Sequence, residues 1–362
     1  MTEVPFLDLA AAVHAERAEL DAIWARFLDS GRFILGPEVA RFEAAFAAAL
    51  GVAEAVGTGN GLDALALALE AAGIGPGDEV LVPAHTFVAT WAAVRLVGAR
   101  PVPVEPEGGV MPEPAAWEAA RGARTRALVP VHLYGEVTDM TGILAAAGGL
   151  PVIEDAAQAH GARRFGRAAG SFGTAAAFSF YPAKTLGALG DGGAVVTSDP
   201  GLATRVRRLG NYGGTAKHEH EVAGRNSRLD PLQAMVLSMR LERLGAAVVA
   251  RAAVAAHYDS ALGGIDGLRL PVPEGEPGWH LYVVRTPARD RLAAHLAAAG
   301  VASQVHYPRP VYRLPPFAEG APPQGSPADR LCAEILSLPI GPHQTEPQTE
   351  AVVTAVRGFF GR

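Results

Sequence analysis

Lysine is nearly missing from this chain: of 31 Lys and Arg residues only Lys184 and Lys217 are lysines, and arginine fills every other position. Cysteine is scarcer still, with Cys332 alone. A single cysteine closes no intramolecular disulfide, and secreted chains of this size often carry several, so a reducing cytoplasm is the expected compartment. No basic region precedes the apolar residues of "MTEVPFLDLAAAVHAERAEL", where Glu3 and Asp8 stand instead, so no signal peptide is expected. Long hydrophobic runs are missing too. The Ala/Val stretch "AAVVARAAVAAHY" is short and carries Arg251, so no membrane span and no membrane partner is expected. Positive charge is not in excess: the formal net charge is -6, which gives no electrostatic reason to expect nucleic acid as a partner. No internal repeat is visible.

What remains is an ordered composition. Of 362 residues, 49% are hydrophobic and 19% charged, with glycine and proline spread along the chain, as in globular α/β proteins. That length predicts two or three structural units. From about residue 40, helical and strand patterns alternate: "VARFEAAFAAAL" reads as helix, "AEAV" as strand, "LDALALALEAAG" as helix and "EVLVP" as strand. The order repeats through "TFVATWAAVRLVG", "RPVPV", "RALVPV" and the apolar "PVIED", which ends in acids. Such alternation predicts a mainly parallel sheet with helices on both faces and ligand loops at the carboxyl ends of its strands. Gly57 to Gly61, His85, His132 and Asp155 all fall at such ends. Near residue 245 the texture changes. One long helix over 231–262 is expected to connect to a smaller α+β domain, giving an arm over 1–30, a large domain over 31–243 and a small domain over 244–362.

Lys184 stands between the strand-like "AAAFSF" and the glycine turn "GALGDGG". Arginine stays protonated, whereas a partly desolvated lysine loses its proton and attacks a carbonyl, so Lys184 is a candidate Schiff-base residue. A pyridoxal phosphate (PLP) site also needs a carboxylate to keep the ring nitrogen protonated. Asp155, 29 positions earlier at the end of "PVIED", is the candidate, with a helix cap as its plainer role. A phosphate needs backbone amides and hydroxyls. "GTGNGLDALALAL" supplies a glycine turn opening a helix, where unpaired N–H groups and the dipole attract anions. A dinucleotide fingerprint fails there, because Leu62 stands where the third glycine belongs. Ser179 offers a hydroxyl five positions before the lysine. His132, Tyr181, His306 and Tyr307 are candidate substrate contacts, with packing roles open for His132 and for the "HYP" pair. "KHEHE" at 217–221 reads as a solvated loop, so no metal is expected.

Seven segments in order carry a resemblance: "GIGPGDEVLVPAHTFVATW", "VPVHLYG", "IEDAAQAHGA", "FSFYPAKTLGALGDGGAVVT", "GRNSRLDPLQA", "VHYPRPV" and "LSLPIGPH". Together they resemble the DegT-type sugar aminotransferases of PLP fold type I, nearly end to end. That resemblance implies a large domain with a mainly parallel mixed sheet flanked by helices, a smaller C-terminal α+β domain, and PLP as cofactor. The implied activity moves an amino group from glutamate to a ketone on a nucleotide-linked deoxysugar. By the resemblance Lys184 matches the lysine joined to the cofactor, Asp155 the partner of the pyridine nitrogen, Gln158 the glutamine near the ring and Phe87 the aromatic stacked on it. Gly61, Leu62 and Ser179 match the phosphate site. Asn226 matches an asparagine that reaches the phosphate from the neighbouring subunit, implying a homodimer with shared active sites. Two departures stand out: Asn60 and Leu62 replace hydroxyl residues common in the family's phosphate turn, and Thr185 replaces a frequent asparagine. Lys184 argues against the dehydratase branch, which carries histidine there. The texture of "VPFLDL", "HLYG", "NYG" and "HYPRPV" looks closest to enzymes that aminate C3 of dTDP-3-keto-6-deoxyhexoses for antibiotic sugars. A 4-ketosugar aminotransferase is the alternative within the family, and a PLP-fold sensing protein the alternative outside catalysis.

Overall fold

The computed structural model describes residues 3–216, 218–319 and 321–361, so Lys217 lies outside the described residues. Seven strands form the main sheet: β1 (Glu54–Thr58), β2 (Glu79–Pro83), β3 (Arg100–Val104), β4 (Thr125–Leu128), β5 (Ile153–Asp155), β6 (Ala175–Ser179) and β7 (Gly193–Thr197). The ladders β3-β2-β4 and β5-β6-β7-β1 are joined by parallel bridges from Leu128 to Val152 and from Val131 to Asp155. The order is therefore β3-β2-β4-β5-β6-β7-β1. Every neighbouring pair is parallel except those made by β7, which runs against both β6 and β1. The mixed sheet is thus the mainly parallel one expected.

Composition explains the layering. "EVLVP" and "GAVVT" are buried at every residue, as strands covered on both faces must be. Helix Gly61–Ala71 is apolar except for Asp63 and Glu70, and Ala64 to Leu69 are enclosed between the sheet and helices Val88–Leu96 and Pro200–Gly210. A second core gathers Tyr258, Leu262, Tyr282, Leu292, Leu336 and Val352 around the antiparallel pair β8 (Tyr282–Arg285) and β9 (Ile335–Leu338). Val4 enters that core and bridges Val301, so the start of the chain is tied to its far end.

The single long helix expected over 231–262 is instead two, Pro231–Leu241 and Leu244–Leu262. At the joint the Arg243 N–H bonds the Arg240 carbonyl, a tighter turn than an α-helix makes. Side chains hold the joint: Arg240 bonds Glu16 and the Gly187 carbonyl, and Arg243 bonds Glu19 of helix Arg17–Ser30. These ties span more than 200 residues to the acids, and local helix propensity carries no trace of them. Among the described residues no helix is long and apolar enough to cross a membrane.

Candidate active site

A cavity of about 650 Å³ opens at the carboxyl ends of β5 and β6, where Gly61, Phe87, Asp155, Lys184, His280 and Tyr307 meet. Strand alternation sends the adjacent acids of β5 to opposite faces. Asp155 faces the cavity and is only 5% exposed. Thr90 Oγ1 donates to its Oδ2 at 2.8 Å and the Ala157 N–H to its Oδ1 at 3.1 Å. Burial pushes the Asp155 carboxyl upward, while these donors and the Lys184 charge pull it back. Lys184 sits in the loop after β6, its N–H bonded to the Tyr181 carbonyl at 2.8 Å, with part of its surface open to the cavity. Burial lowers its amine to about 8, with Asp155 pulling the other way. An amine so placed is free base to a far larger fraction near neutral pH than a solvated lysine.

The first turn of helix Gly61–Ala71 borders the same cavity. Asn60 caps it: Oδ1 accepts from the Asp63 N–H at 2.8 Å, and the Asn60 carbonyl accepts from Thr58 Oγ1 at 3.0 Å. A Cβ on Gly61 would lie 2.6 Å from Ser179 Cβ, so only glycine lets the helix start press against that serine. The amides of Gly61 and Leu62, as the opening donors of the helix, have no intrahelical acceptor. They stand beside the Ser179 hydroxyl as a cradle suited to a phosphate dianion. The Asn60 side chain is committed to the cap, and Leu62 packs on the apolar core, so neither supplies the hydroxyl that commonly stands there in the family. With Asp155 and Lys184 at the other end, the donor set fits PLP.

The remaining candidates divide. Gln158 lines the cavity, its Oε1 accepting from the Tyr134 N–H at 2.8 Å and its Nε2 donating to the Tyr307 hydroxyl at 3.0 Å. Phe87, half exposed, has its ring 5.4 Å from that of Tyr307. His306 Nδ1 bonds Ser337 Oγ at 2.8 Å, and burial lowers its imidazole to about 4, so it lines the cavity as a neutral ring. Tyr181 also lines the cavity, its side chain exposed. His132 takes the structural alternative. It is fully buried outside the cavity lining, Nε2 bonded at 2.7 Å to Glu154, whose carboxylate also accepts from the Gly170, Phe172 and Gly173 amides. Asn226 is exposed, pairs with Asn211 in a β-bridge, and is not part of its own chain's cavity wall.

Three groups escape the sequence reading. Thr90 supports Asp155 from the helix after "HTF", His280 lines the cavity with its buried Nδ1 unpartnered, and Tyr134 holds Gln158. The "HTFVAT" and "HLYG" strings contain Thr90 and Tyr134 but give no sign of these partners. At 218–221 the described residues are exposed, Glu221 pairs with Arg208, and no group of three or more His, Cys, Asp or Glu among the described residues is arranged to hold a metal.

The chain is 54% identical to the dTDP-3-amino-3,4,6-trideoxy-alpha-D-glucose transaminase of Streptomyces venezuelae, over 99% of this chain and 97% of that one. It is 50% identical to the erythromycin biosynthesis sensory transduction protein EryC1 of Saccharopolyspora erythraea, over 98% and 99% of the two chains. The crystal structure of S. venezuelae DesV in complex with a ketimine intermediate superposes with a TM-score of 0.97 at 53% identity, covering both chains completely. Residues 14–357 match the model of a PLP-dependent family, and the chain belongs to it: the DegT/DnrJ/EryC1/StrS aminotransferase family.

Proposed function

We propose that this chain is a PLP-dependent aminotransferase that moves an amino group from glutamate to C3 of a dTDP-linked 3-keto-6-deoxyhexose. The observation that carries it is the meeting of Lys184, Asp155 and the Gly61–Leu62 amide edge in one cavity. Bound there, PLP supplies an aldehyde for Schiff-base exchange and an electron sink for the carbanion. Asp155, fixed by hydrogen bonds from Thr90 and the Ala157 amide, would face the pyridine nitrogen and keep the proton there. Gly61, Leu62 and Ser179 would hold the phosphate, Phe87 would cover the ring face, and Gln158 would lie near the ring oxygen. With cofactor and donor bound, the Lys184 amine would serve as the base that takes the proton from the donor α-carbon and returns it, a transfer typically worth about 10²- to 10⁴-fold. The ketosugar then enters the same cavity, between Tyr181, His306 and Tyr307, and the steps run in reverse.

The working unit in this proposal is a cytoplasmic homodimer in which Asn226 reaches the partner's phosphate. Its support is the exposure of Asn226 and a bare apolar run at Phe33, Ile34 and Leu35. Residues 31–243 act as the cofactor-holding domain, 244–362 as the smaller domain that completes the cavity, and 1–30 as an arm. Mixed dimers of Lys184→Ala and Asn226→Ala subunits test the sharing: one site then carries both lesions and the other neither, so a wild-type-like site is expected. If mixed dimers form and no such site appears, Asn226 acts within its own subunit.

The name of the S. erythraea relative favours a second reading, a sensing protein that keeps the cavity but not the turnover. Single-turnover mixing with glutamate separates the two, since amino transfer releases 2-oxoglutarate and a sensor does not. A panel of 3-keto and 4-keto nucleotide sugars then fixes the acceptor. Preference for a 4-keto sugar would overturn the C3 assignment.

A further inference from the structure

Tyr134 occupies a left-handed backbone conformation, φ 62° and ψ 3°, unusual for a residue with a side chain. Two backbone bonds tie its turn directly to the entry of β8: the Leu281 N–H donates to the Tyr134 carbonyl at 3.1 Å and the Gly278 N–H to the Gly135 carbonyl at 2.8 Å. A Cβ on Gly135 would lie 2.7 Å from the His280 amide, so the contact closes only over glycine. The Tyr134 amide meanwhile fixes Gln158, whose other end fixes the Tyr307 hydroxyl.

The Tyr134 hydroxyl makes a third connection. It donates its one proton to the His306 carbonyl, so toward His85 Nε2, 2.7 Å away, it is the acceptor. His85 Nε2 therefore carries the hydrogen, which leaves Nδ1 bare to accept from the Cys332 thiol at 3.2 Å. The chain runs from helix Pro327–Glu334 through the end of β2 and the turn at Tyr134 to the loop that carries His306 and Tyr307. Burial keeps every member neutral: His85 is lowered to about 3, Cys332 raised to about 12 and Tyr134 raised well above a free phenol.

We propose that Tyr134 is a positioning residue that sets the acceptor-facing wall of the cavity, holding Gln158 through its amide, His280 through its turn, and the His306–Tyr307 segment through its hydroxyl. It touches no reacting atom. Only the kinetic part of its test rests on the aminotransferase reading.

The test compares the holoenzyme with Tyr134→Phe, which keeps the ring and the backbone and removes only the hydroxyl. Hydrogen–deuterium exchange without substrate is expected to speed up over 304–308 by roughly threefold to tenfold, the factor that one net hydrogen bond sets. Exchange over β6 and β7 should be unchanged. Cys332→Ala, which strips the far end of the chain, should loosen the same segment less, and Cys332→Ser should restore it. In turnover, the ketosugar KM should rise more than kcat falls, and the midpoints of the pH profile should not move, because no member of the chain titrates there. Unchanged exchange over 304–308 in both Tyr134→Phe and Cys332→Ala would overturn the proposal, as would a rise spread evenly over the protein. Loosening of 304–308 in a protein whose wild type transfers no amino group would sink the functional reading and leave this one standing.

Discussion

The two ends of the cavity are built by different means. At the cofactor end, Gly61, Leu62, Asp155, Ser179 and Lys184 sit on or beside β5, β6 and the helix packed against them, placed by backbone ladders and by glycine contacts too tight for a side chain. At the end that the proposed reading gives to the acceptor, His306 and Tyr307 come from a loop of the second core and are fastened by side-chain bonds spanning 172 and 149 residues, while His280 is held through backbone bonds of its neighbours Gly278 and Leu281. A backbone-built site resists change, because moving one group means moving a strand. A site hung on single hydrogen bonds shifts with one substitution. On the proposed reading, retained chemistry and adaptable acceptor choice would have separate structural homes.

The largest effects are expected where the backbone-built end is broken. Lys184→Ala and Lys184→Arg should each lower single-turnover rates with glutamate by about 10²- to 10⁴-fold or more, the arginine because it cannot give up its proton. Borohydride reduction and peptide mapping should find the cofactor on Lys184; a label on Lys217 would place the chemistry elsewhere. Asp155→Asn comes next. Its amide oxygen still accepts from Thr90 while its NH2 replaces the oxygen that accepts from the Ala157 N–H, so a folded protein is expected with the glutamate half-reaction slowed about a hundredfold, within the usual span for a displaced catalytic proton. A near wild-type half-reaction would reduce Asp155 to a cap.

At the hung end the effects should be smaller and fall on acceptor binding. Tyr307→Phe removes the oxygen that accepts from Gln158, and a loss of about threefold to tenfold in kcat/KM for the ketosugar is expected, with the glutamate half-reaction within about twofold. Equal losses in both half-reactions would erase the distinction between the two ends. The smallest effect concerns stability. Lys184 has its amine lowered to about 8 from an ordinary 10.5, so the unfolded chain binds more protons between those values and stability rises with pH across that window. Cofactor-free Lys184→Met should therefore melt about 3–5 °C above the cofactor-free wild type at pH 7, an advantage that fades toward pH 10.

What could be read in advance follows the same division. Lys184 and Asp155 stand out locally, one as a rare amine beside a glycine turn, the other at the end of an apolar strand. "IED" still holds two acids, and only the pleat tells them apart: Glu154 turns to the 170–173 loop and His132, and Asp155 turns to the cavity. His132 was open between two roles for that reason, since its partner lies 22 residues away on a neighbouring strand. The break after Leu241 was hidden because it depends on acids near the other end of the chain. Tyr134 and His280 give no local sign, as their placement rests on contacts between the two cores.

The reversal of β7 has a topological result. A parallel β7 would need a crossover of a dozen or more residues to the far edge of the sheet, carrying the chain after Ser179 away from the cavity. Running backward, β7 lets residues 180–192 leave and re-enter the sheet at the same rim. The Phe180 N–H to the Gly192 carbonyl, at 2.8 Å, and the Ala188 N–H to the Phe180 carbonyl, at 2.7 Å, draw the loop closed at its base. Lys184 thus stands on an arch with both feet in adjacent strands, and either foot alone would leave its amine free to swing.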